Sequence, residues 1–252
     1  MTQNAKPIIA WYNRVLDAII SVSTEDAAYP KENLFDLRPD TFHKGAGSAE
    51  QYIRFTLPAA IDVTCVGIVG HDLFTQGASV KLQAYVGAAW VDCIAAWTPA
   101  NNKAQWKCFA AKNSDQFQLV IPTGYTLPPS IAVVMIGGYT TFPGWPTGDW
   151  DPDHEEAQRD ESISSEGHYL GTNVKYSERR FNLNFERLLD AFVVSDLKPF
   201  FAWAKGKPFF VIPEITNHPT DVFYMLLDKP TFAAPWGAVY RSHSIAVRGL
   251  VE

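Results

Sequence analysis

Apolar and polar positions alternate with a period of two along several short segments of the first half of the chain. Residues 51–57 (QYIRFTL) alternate, a turn follows at Pro58, and residues 61–70 (IDVTCVGIVG) form a nearly continuous apolar run. Further short strands are predicted at residues 79–86, 117–121 and 131–138. Many short strands without helices between them predict a β-sandwich or jelly roll.

The segment from Ser195 to Pro213 has a different pattern, which predicts one helix followed by one strand. Its apolar residues repeat at the helical spacing i, i+3, i+4 and i+7, and they are Leu197, Phe200, Phe201 and Ala204. Ser195 or Asp196 can cap the first turn, and Gly206 can supply a left-handed stop. The apolar run 207–212 (KPFFVI) then predicts a strand that Pro213 closes.

Strands are also predicted on both sides of this unit, at residues 173–188, 221–228 and 239–248. The resulting order of strand, helix, strand, strand, strand resembles the domain from which the distal-tail and minor tail proteins of long-tailed bacteriophages are built. The resemblance covers roughly the last 80 residues, enough for a small domain. It implies a structural role in a tail tube or tail tip.

The first half resembles the galactose-binding-like, or discoidin-type, jelly roll over residues 30–138. In phage tail proteins that carry this module, a Gly-His-Asn-Leu segment commonly ends the central strand. Residues 70–73 match that segment, with Asp72 in place of the asparagine. The resemblance implies a fold, while many modules of this kind serve only as structural spacers.

These patterns predict a mainly β protein with two parts. Residues 1–138 are expected to form an N-terminal β-sandwich jelly roll, and residues 172–252 a smaller C-terminal β-sandwich with one helix. Residues 139–171 are rich in proline, glycine and acidic residues, and we expect a connecting arm there. The two halves are expected to fold separately.

Acidic residues recur within the arm at calcium-loop-like spacing, at Asp149, Asp151, Asp153 and Asp160. His154 occupies the position where a calcium loop needs glycine, and Pro152 stiffens the loop. The segment is either a hard-cation loop or a solvated acidic linker, and we expect the linker and no metal.

Composition and charge exclude several classes of function. The chain has 252 residues, of which 47% are hydrophobic, and a net charge of −6 without a basic segment, which disfavours nucleic-acid binding. The N-terminus is too polar for a signal peptide, and the apolar run 131–136 is too short to span a bilayer. We expect a protein made in a host cytoplasm and not secreted. Cys65, Cys93 and Cys108 have no CxxC spacing and are expected to be reduced thiols.

No motif for catalysis or for cofactor binding is present. The six histidines lack metal-ligand spacing, and the glycines of residues 44–48 (KGAGS) lack the rest of a phosphate loop. His71 is expected to bond its own loop at the end of a strand, and His243 to lie in the core. We therefore expect no enzyme, no cofactor and no catalytic residue.

The function expected from these features is a structural one at the distal tail or tail tip of a phage or prophage-derived particle. Copies of the chain would form a symmetric ring and dock other tail proteins, namely the tail tube and the tail hub or tip, within the virion. Aromatic residues are abundant, and those expected at interfaces are Trp145, Trp150, Phe200, Trp203 and Trp236.

Two alternatives remain open. The first is a carbohydrate-binding adhesin that attaches the particle to a host surface glycan through jelly-roll loops, with residues 44–48 and 74–77 (FTQG) as candidates. The second is a glycan-cleaving enzyme that carries a binding module.

Overall fold

The computed structural model describes residues 6–147, 155–214, 216, 218–236 and 239–250, without the side chains of residues 229–236 and 250. The strands of the first half are β1 (Ile8–Asn13), β2 (Ile19–Val22), β3 (His43–Lys44), β4 (Gln51–His71), β5 (Lys81–Val86), β6 (Ala89–Asp92), β7 (Gln105–Ile121) and β8 (Ser130–Thr141). The strands of the second half are β9 (Glu155–Ile163), β10 (Tyr169–Leu189), β11 (Phe209–Ile212), β12 (Phe223–Trp236) and β13 (Tyr240–Leu250). Short 3₁₀ helices cover Arg14–Asp17 and Lys31–Phe35.

Within the described residues, thirteen strands join in one hydrogen-bonded network. Its order is β6-β5-β7-β4-β8-β1-β11-β12-β13-β10-β9, while β2 pairs with β4 and β3 pairs with β8. The paired strands are antiparallel. The predicted fold class is confirmed, because the protein is a mainly β sandwich with one helical segment.

Strand β4 is continuous for 21 residues, although Pro58 suggested two strands separated by a turn. Thr56 lies opposite Gln116 of β7 and Ile61 lies opposite Ser114, so the residues between them form a bulge. A bulge bends a strand without ending it, and a proline is tolerated there because the ladder is locally interrupted. The part of β4 before the bulge pairs with β2 and the part after it pairs with β8, so the strand contributes to both layers of the sandwich.

The core of the first half lies between these two layers. Ile53 and Phe55 come from the part of β4 before the bulge, and Val66 and Ile68 from the part after it, yet all four belong to one buried cluster. The alternation in the sequence thus sends both parts of the strand into the same core.

The helical segment of the second half begins at Asp190, earlier than the sequence predicted. It consists of Asp190–Phe192, a π-helical turn at Val193–Leu197 and Lys198–Trp203. The expected caps are wrong, since the Ser195 hydroxyl donates to its neighbour Asp196 from within the segment. The apolar stripe is confirmed, because its members Leu197, Phe200, Phe201 and Ala204 are all buried. The left-handed stop is also confirmed, since Gly206 has a φ of 72°.

The N-terminal strand β1 joins the two halves. Ile9 lies opposite Thr140 of β8 on one side and opposite Val211 of β11 on the other. A buried cluster at this junction combines residues of both halves: Ile8, Ala10, Cys65, Val69, Ala104, Trp106, Ala132, Val133, Met135, Phe210, Ile212 and Val222. Separate folding of the halves stays a prediction, and the structure adds an apolar contact between them.

The described part of the expected connecting arm contains regular structure. β9 lies within residues 139–171 and pairs along its whole length with β10, forming a hairpin whose turn is at residues 164–168. Its strong polarity, which favoured a linker, is typical of a strand exposed on both faces. The acidic residues Asp149, Asp151 and Asp153 lie outside the described residues, and Asp160 pairs with Lys175 at 2.6 Å.

Candidate ligand-binding loops

The loop that follows β4 holds an aromatic ring out into solvent. Leu73 is fully buried, while its neighbour Phe74 is 53% exposed. The loop closes on itself, because the Gln76 N–H donates to Asp72 O and the Ala78 N–H donates to Leu73 O. Leu73 thus anchors the loop in the core, and Phe74 lies on its solvent side.

Asn102, from the loop before β7, fixes the backbone that carries this ring. Its Oδ1 accepts from the N–H groups of Phe74 and Thr75, at 3.1 and 3.3 Å. Its Nδ2 donates to Thr75 Oγ1 at 2.7 Å. One side chain thus satisfies three polar groups of the loop and limits its movement.

Asp72 and Gln76 attach the same loop to residues 126–130. Asp72 Oδ1 accepts from the Ser130 N–H at 2.6 Å, and its Oδ2 accepts from Gln76 Nε2 at 3.0 Å. The N–H groups of Thr126 and Leu127 donate to Gln76 O and Gln76 Oε1. The loop is therefore held on two sides.

The other loop proposed from the sequence lies against the same segment. The Tyr125 hydroxyl donates to Ala49 O at 2.5 Å and lies 3.4 Å from Gly47 O. Residues 44–48 and 74–77 therefore contact residues 122–129 from two sides, as expected for loops at one end of a jelly roll. Sequence reasoning missed the part played by Asn102, which is distant in the chain.

His71 bonds the loop that carries Asn102. It is buried at the end of β4, and its Nε2 lies 3.0 Å from Lys103 O, so the ring bonds the loop before β7 and not its own loop. Burial lowers the pKa of His71 to about 4. The ring is therefore neutral near pH 7, and the carbonyl partner requires the tautomer in which Nε2 carries the proton.

The loop cluster combines an apolar platform with polar groups. Phe74 and Leu127 are exposed, and the exposed side chains of Asn102 and Lys103 belong to the loop that holds Phe74. One face of a sugar ring consists largely of C–H groups and packs on an aromatic ring, while its hydroxyls pair with amides and ammonium groups. The arrangement suits a polyhydroxylated ligand.

A second concavity, which the sequence did not indicate, lies between the two halves. Its volume is about 360 Å³, and it is lined by Asp36, Leu37, Arg38, Pro39, Gly206, Pro208, Tyr224, Met225, Leu226, Arg248 and Gly249. Arg38 pairs with Asp40 at 2.9 Å, and Arg248 lies 4.0 Å from Asp228. Since both arginines already have carboxylate neighbours, the loop cluster is the stronger candidate for binding a ligand.

The expected interface residues differ in their exposure to solvent. Trp145 is exposed. Phe200 is 1% exposed and is a core residue, so its assignment to a surface is corrected; Trp203 is partly buried against the same core. Trp150 and the side chain of Trp236 lie outside the described residues. Of the twelve aromatic side chains that the structure describes in residues 172–252, seven are buried, and Ile9 and Phe142 of the first half contribute to the core that holds most of them.

In the part of the chain that the structure describes, His, Cys, Asp and Glu side chains form no group of three or more that could hold a metal ion. No helix among these residues has the length and apolar character needed to cross a membrane. His243 is buried on β13 and contacts the ring of Phe201, as expected for a core histidine.

No protein-family model and no curated protein matches this sequence. Solved structures with a similar fold include chitosan-binding module 1 of a chitosanase/glucanase from Paenibacillus sp. IK-5, at 17% identity over 51% of this chain and 99% of that chain, with a TM-score of 0.44. The family 32 carbohydrate-binding module of Clostridium perfringens NanJ, in complex with galactose, has 17% identity over 53% of this chain and 99% of that one, with a TM-score of 0.44. A GH29 fucosidase from Ruminococcus gnavus has 13% identity over 52% of this chain and 28% of its own length, with a TM-score of 0.44.

Proposed function

We propose that this protein is a carbohydrate-binding adhesin and that its ligand is a surface glycan. The observation that carries the proposal is the exposed Phe74 ring on a loop that Asn102 holds in place. A preorganised aromatic platform binds at a lower cost in conformational entropy than a mobile one. The exposed Lys103 ammonium, next to Asn102 in the chain, can donate hydrogen bonds that fix the orientation of a sugar.

A glycan array probed with the full-length protein tests this proposal. We expect saturable binding to a defined set of glycans and at least roughly tenfold weaker binding by Phe74→Ala, since an aromatic anchor contributes about 1.4 kcal/mol or more. Tyr85→Ala is the matched control, because Tyr85 is an exposed aromatic residue whose carbonyl bonds Ser114, seven residues along β7 from the end of that strand at Ile121 beside the loops. Uniform silence of the array, or equal binding by Phe74→Ala, would overturn the proposal.

A second candidate function is that of a structural component of a phage or prophage-derived tail, at the distal tail or tail tip within the virion. Copies would form a symmetric ring and dock the tail tube and hub. The observation that favours it is the β9–β10 hairpin, which exposes Ile163, Tyr169 and Val174. Both candidates describe a non-catalytic protein, and an adhesin could be displayed from such a ring.

Antibody labelling of assembled particles tests the second candidate. Several copies around the tail axis are expected. Absence of the chain from the tail, or a single copy off the axis, would overturn this role.

A further inference from the structure

Two cysteines of the first half lie directly opposite each other in the sheet. Cys65 of β4 is paired in register with Cys108 of β7. Directly paired residues of an antiparallel ladder have their side chains on the same face, so the two thiols point to the same side of the sheet. Both thiols are reduced in the structure.

The face that carries these thiols packs against the second half. Two residues after Cys65 on the same face is Gly67, where an added Cβ would contact the ring of Phe210 of β11. Cys65 is fully buried in the cluster at the junction of the two halves, and Cys108 is partly buried against the same cluster. A covalent link between the two sulfur atoms would therefore form beside this junction.

The backbone spacing of such a pair suits a disulfide. Paired residues of an antiparallel ladder have Cα atoms about 4.5 or about 5.5 Å apart, depending on the type of pair. A disulfide needs about 4.4 to 6.8 Å between Cα atoms, so both spacings are suitable. β7 also bulges next to Cys108, because residues 109–111 lie opposite the single residue Thr64. The ladder is interrupted there, which leaves the backbone beside Cys108 less constrained.

The phenol of Tyr139 lies near both sulfur atoms. Burial raises the pKa of Tyr139, and the thiols of Cys108 and Cys65 act in the same direction. The Tyr139 ring contacts Trp106 edge to face, with 5.3 Å between the ring centroids. The two cysteines thus share one site with aromatic neighbours.

The two thiols differ in their access to solvent and in their ionisation. Burial raises the pKa of Cys65 to about 12, so this thiol is protonated near pH 7. Cys108 is partly exposed, and a small molecule in solution can reach it. Cys108 is therefore the sulfur that an oxidant meets first. Cys65 stands opposite it, so a following reaction between the two is intramolecular, which offsets the weak ionisation of Cys65.

We propose that Cys65 and Cys108 form a redox-sensitive pair, which closes into a cross-strand disulfide when a low-molecular-weight disulfide such as oxidised glutathione reaches the protein. The Cys108 sulfur attacks one sulfur of the oxidant and breaks its S–S bond, and the first glutathione leaves with the proton of Cys108. The Cys65 sulfur then attacks the mixed disulfide on Cys108, and the second glutathione leaves with the proton of Cys65. The two protein thiols are oxidised, and the oxidant is reduced to two thiols.

The disulfide ties β4 to β7 beside the junction of the two halves. It breaks the hydrogen bond that the Cys65 thiol donates to Gly137 O at 3.4 Å, and a thiol is a weak donor. The link restricts the unfolded chain and so stabilises the folded one. A reducing compartment keeps the pair open, and an oxidising one closes it. The inference goes beyond the proposed function and does not depend on it, since no residue of the loop cluster takes part.

Peptide mapping of the full-length protein tests the proposal. The native protein is incubated with oxidised glutathione and quenched with acid, its remaining thiols are alkylated, and the digest is analysed by mass spectrometry without reduction. We expect a cross-linked species that joins Cys65 to Cys108, while Cys93, which packs against a different core cluster, is recovered as an alkylated thiol. The same incubation in urea should favour a link between Cys93 and Cys108, because these two are closer in the sequence.

Three variants separate the roles of the cysteines. Cys93→Ala is the matched control and should keep the cross-link. Cys65→Ala should stop the reaction at a mixed disulfide between glutathione and Cys108, and Cys108→Ala should form no disulfide within the chain. Oxidation should raise the urea midpoint of the wild type and of Cys93→Ala, and it should leave that of Cys108→Ala unchanged.

Several results would overturn the proposal. They are a mixed disulfide on Cys108 that persists in the wild type, a link between Cys93 and Cys108 in the native protein, and recovery of all the cysteines as alkylated thiols. A link between Cys65 and Cys108 that lowers the urea midpoint would overturn its stabilising effect.

Discussion

The ring of Phe210, in the second half, covers the backbone of Gly67, in the first. A Cβ built on Gly67 would lie 2.6 Å from Phe210 Cζ, closer than any ordinary contact. Phe210 is fully buried, so its ring has little room to move. The close packing of the two halves thus depends on a strand position without a side chain.

We expect Gly67→Ala to lower the free energy of unfolding by about 1 to 3 kcal/mol, because the added methyl group overpacks the junction. Gly138→Ala is the matched control, since its Cβ would have no neighbour nearer than 4.0 Å. Urea unfolding monitored by tryptophan fluorescence measures both. Equal stability of the two variants would show that Phe210 moves aside freely.

Limited proteolysis tests the predicted organisation into two halves. We expect the first cut between Gly138 and Thr172, where the composition changes, and a first stable fragment that ends inside residues 50–138 would contradict the two-domain prediction. Since β1 pairs with both β8 and β11, the nicked halves should elute together in size-exclusion chromatography and separate only in denaturant. Separate elution without denaturant would contradict the bridging role of β1.

Acid should destabilise the protein through His71. Its folded-state pKa is about 4, below the ordinary value of 6.5, because the ring is buried. As the pH falls, the unfolded chain therefore binds a proton at a higher pH than the folded protein does. The contribution of the neutral His71 ring to stability is fully present above pH 6.5 and is lost as the pH falls from 6.5 towards 4. Burial also lowers the pKa of His43, which like His71 lies opposite Ile131 of β8. His43 therefore also destabilises the folded protein as the pH falls.

Between about pH 7 and about pH 5, we expect the wild type to lose about 2 kcal/mol more stability than His71→Gln loses. His168→Gln is the control, since His168 is an exposed histidine. Urea midpoints at the two pH values measure the effect. An unchanged pH dependence in the His71 variant would show that other groups carry it.

Asn102→Ala should loosen the Phe74 loop while the sheet remains intact. The substitution removes the partners of the Phe74 and Thr75 N–H groups, at a cost of about 1 to 2 kcal/mol. We expect faster hydrogen exchange at these two amides and unchanged protection at Val66 and Ile68 within β4. Equal exchange at Phe74 in the variant and the wild type would show that the loop does not depend on Asn102.

The sequence alone determined the β class, the helical stripe and the turn at Gly206, because these depend on local periodicity and on the conformational freedom of glycine. It also indicated the loops at 44–48 and 74–77. The path of β4 through Pro58 was not predictable, because a bulge and a turn have the same local signal.

The tertiary structure decided which distant residues meet. Asn102 reaches Phe74, Cys65 lies opposite Cys108, and β1 pairs with strands of both halves. These contacts depend on strand register and order, which a period-two pattern leaves open because every register that keeps the same face inward satisfies it.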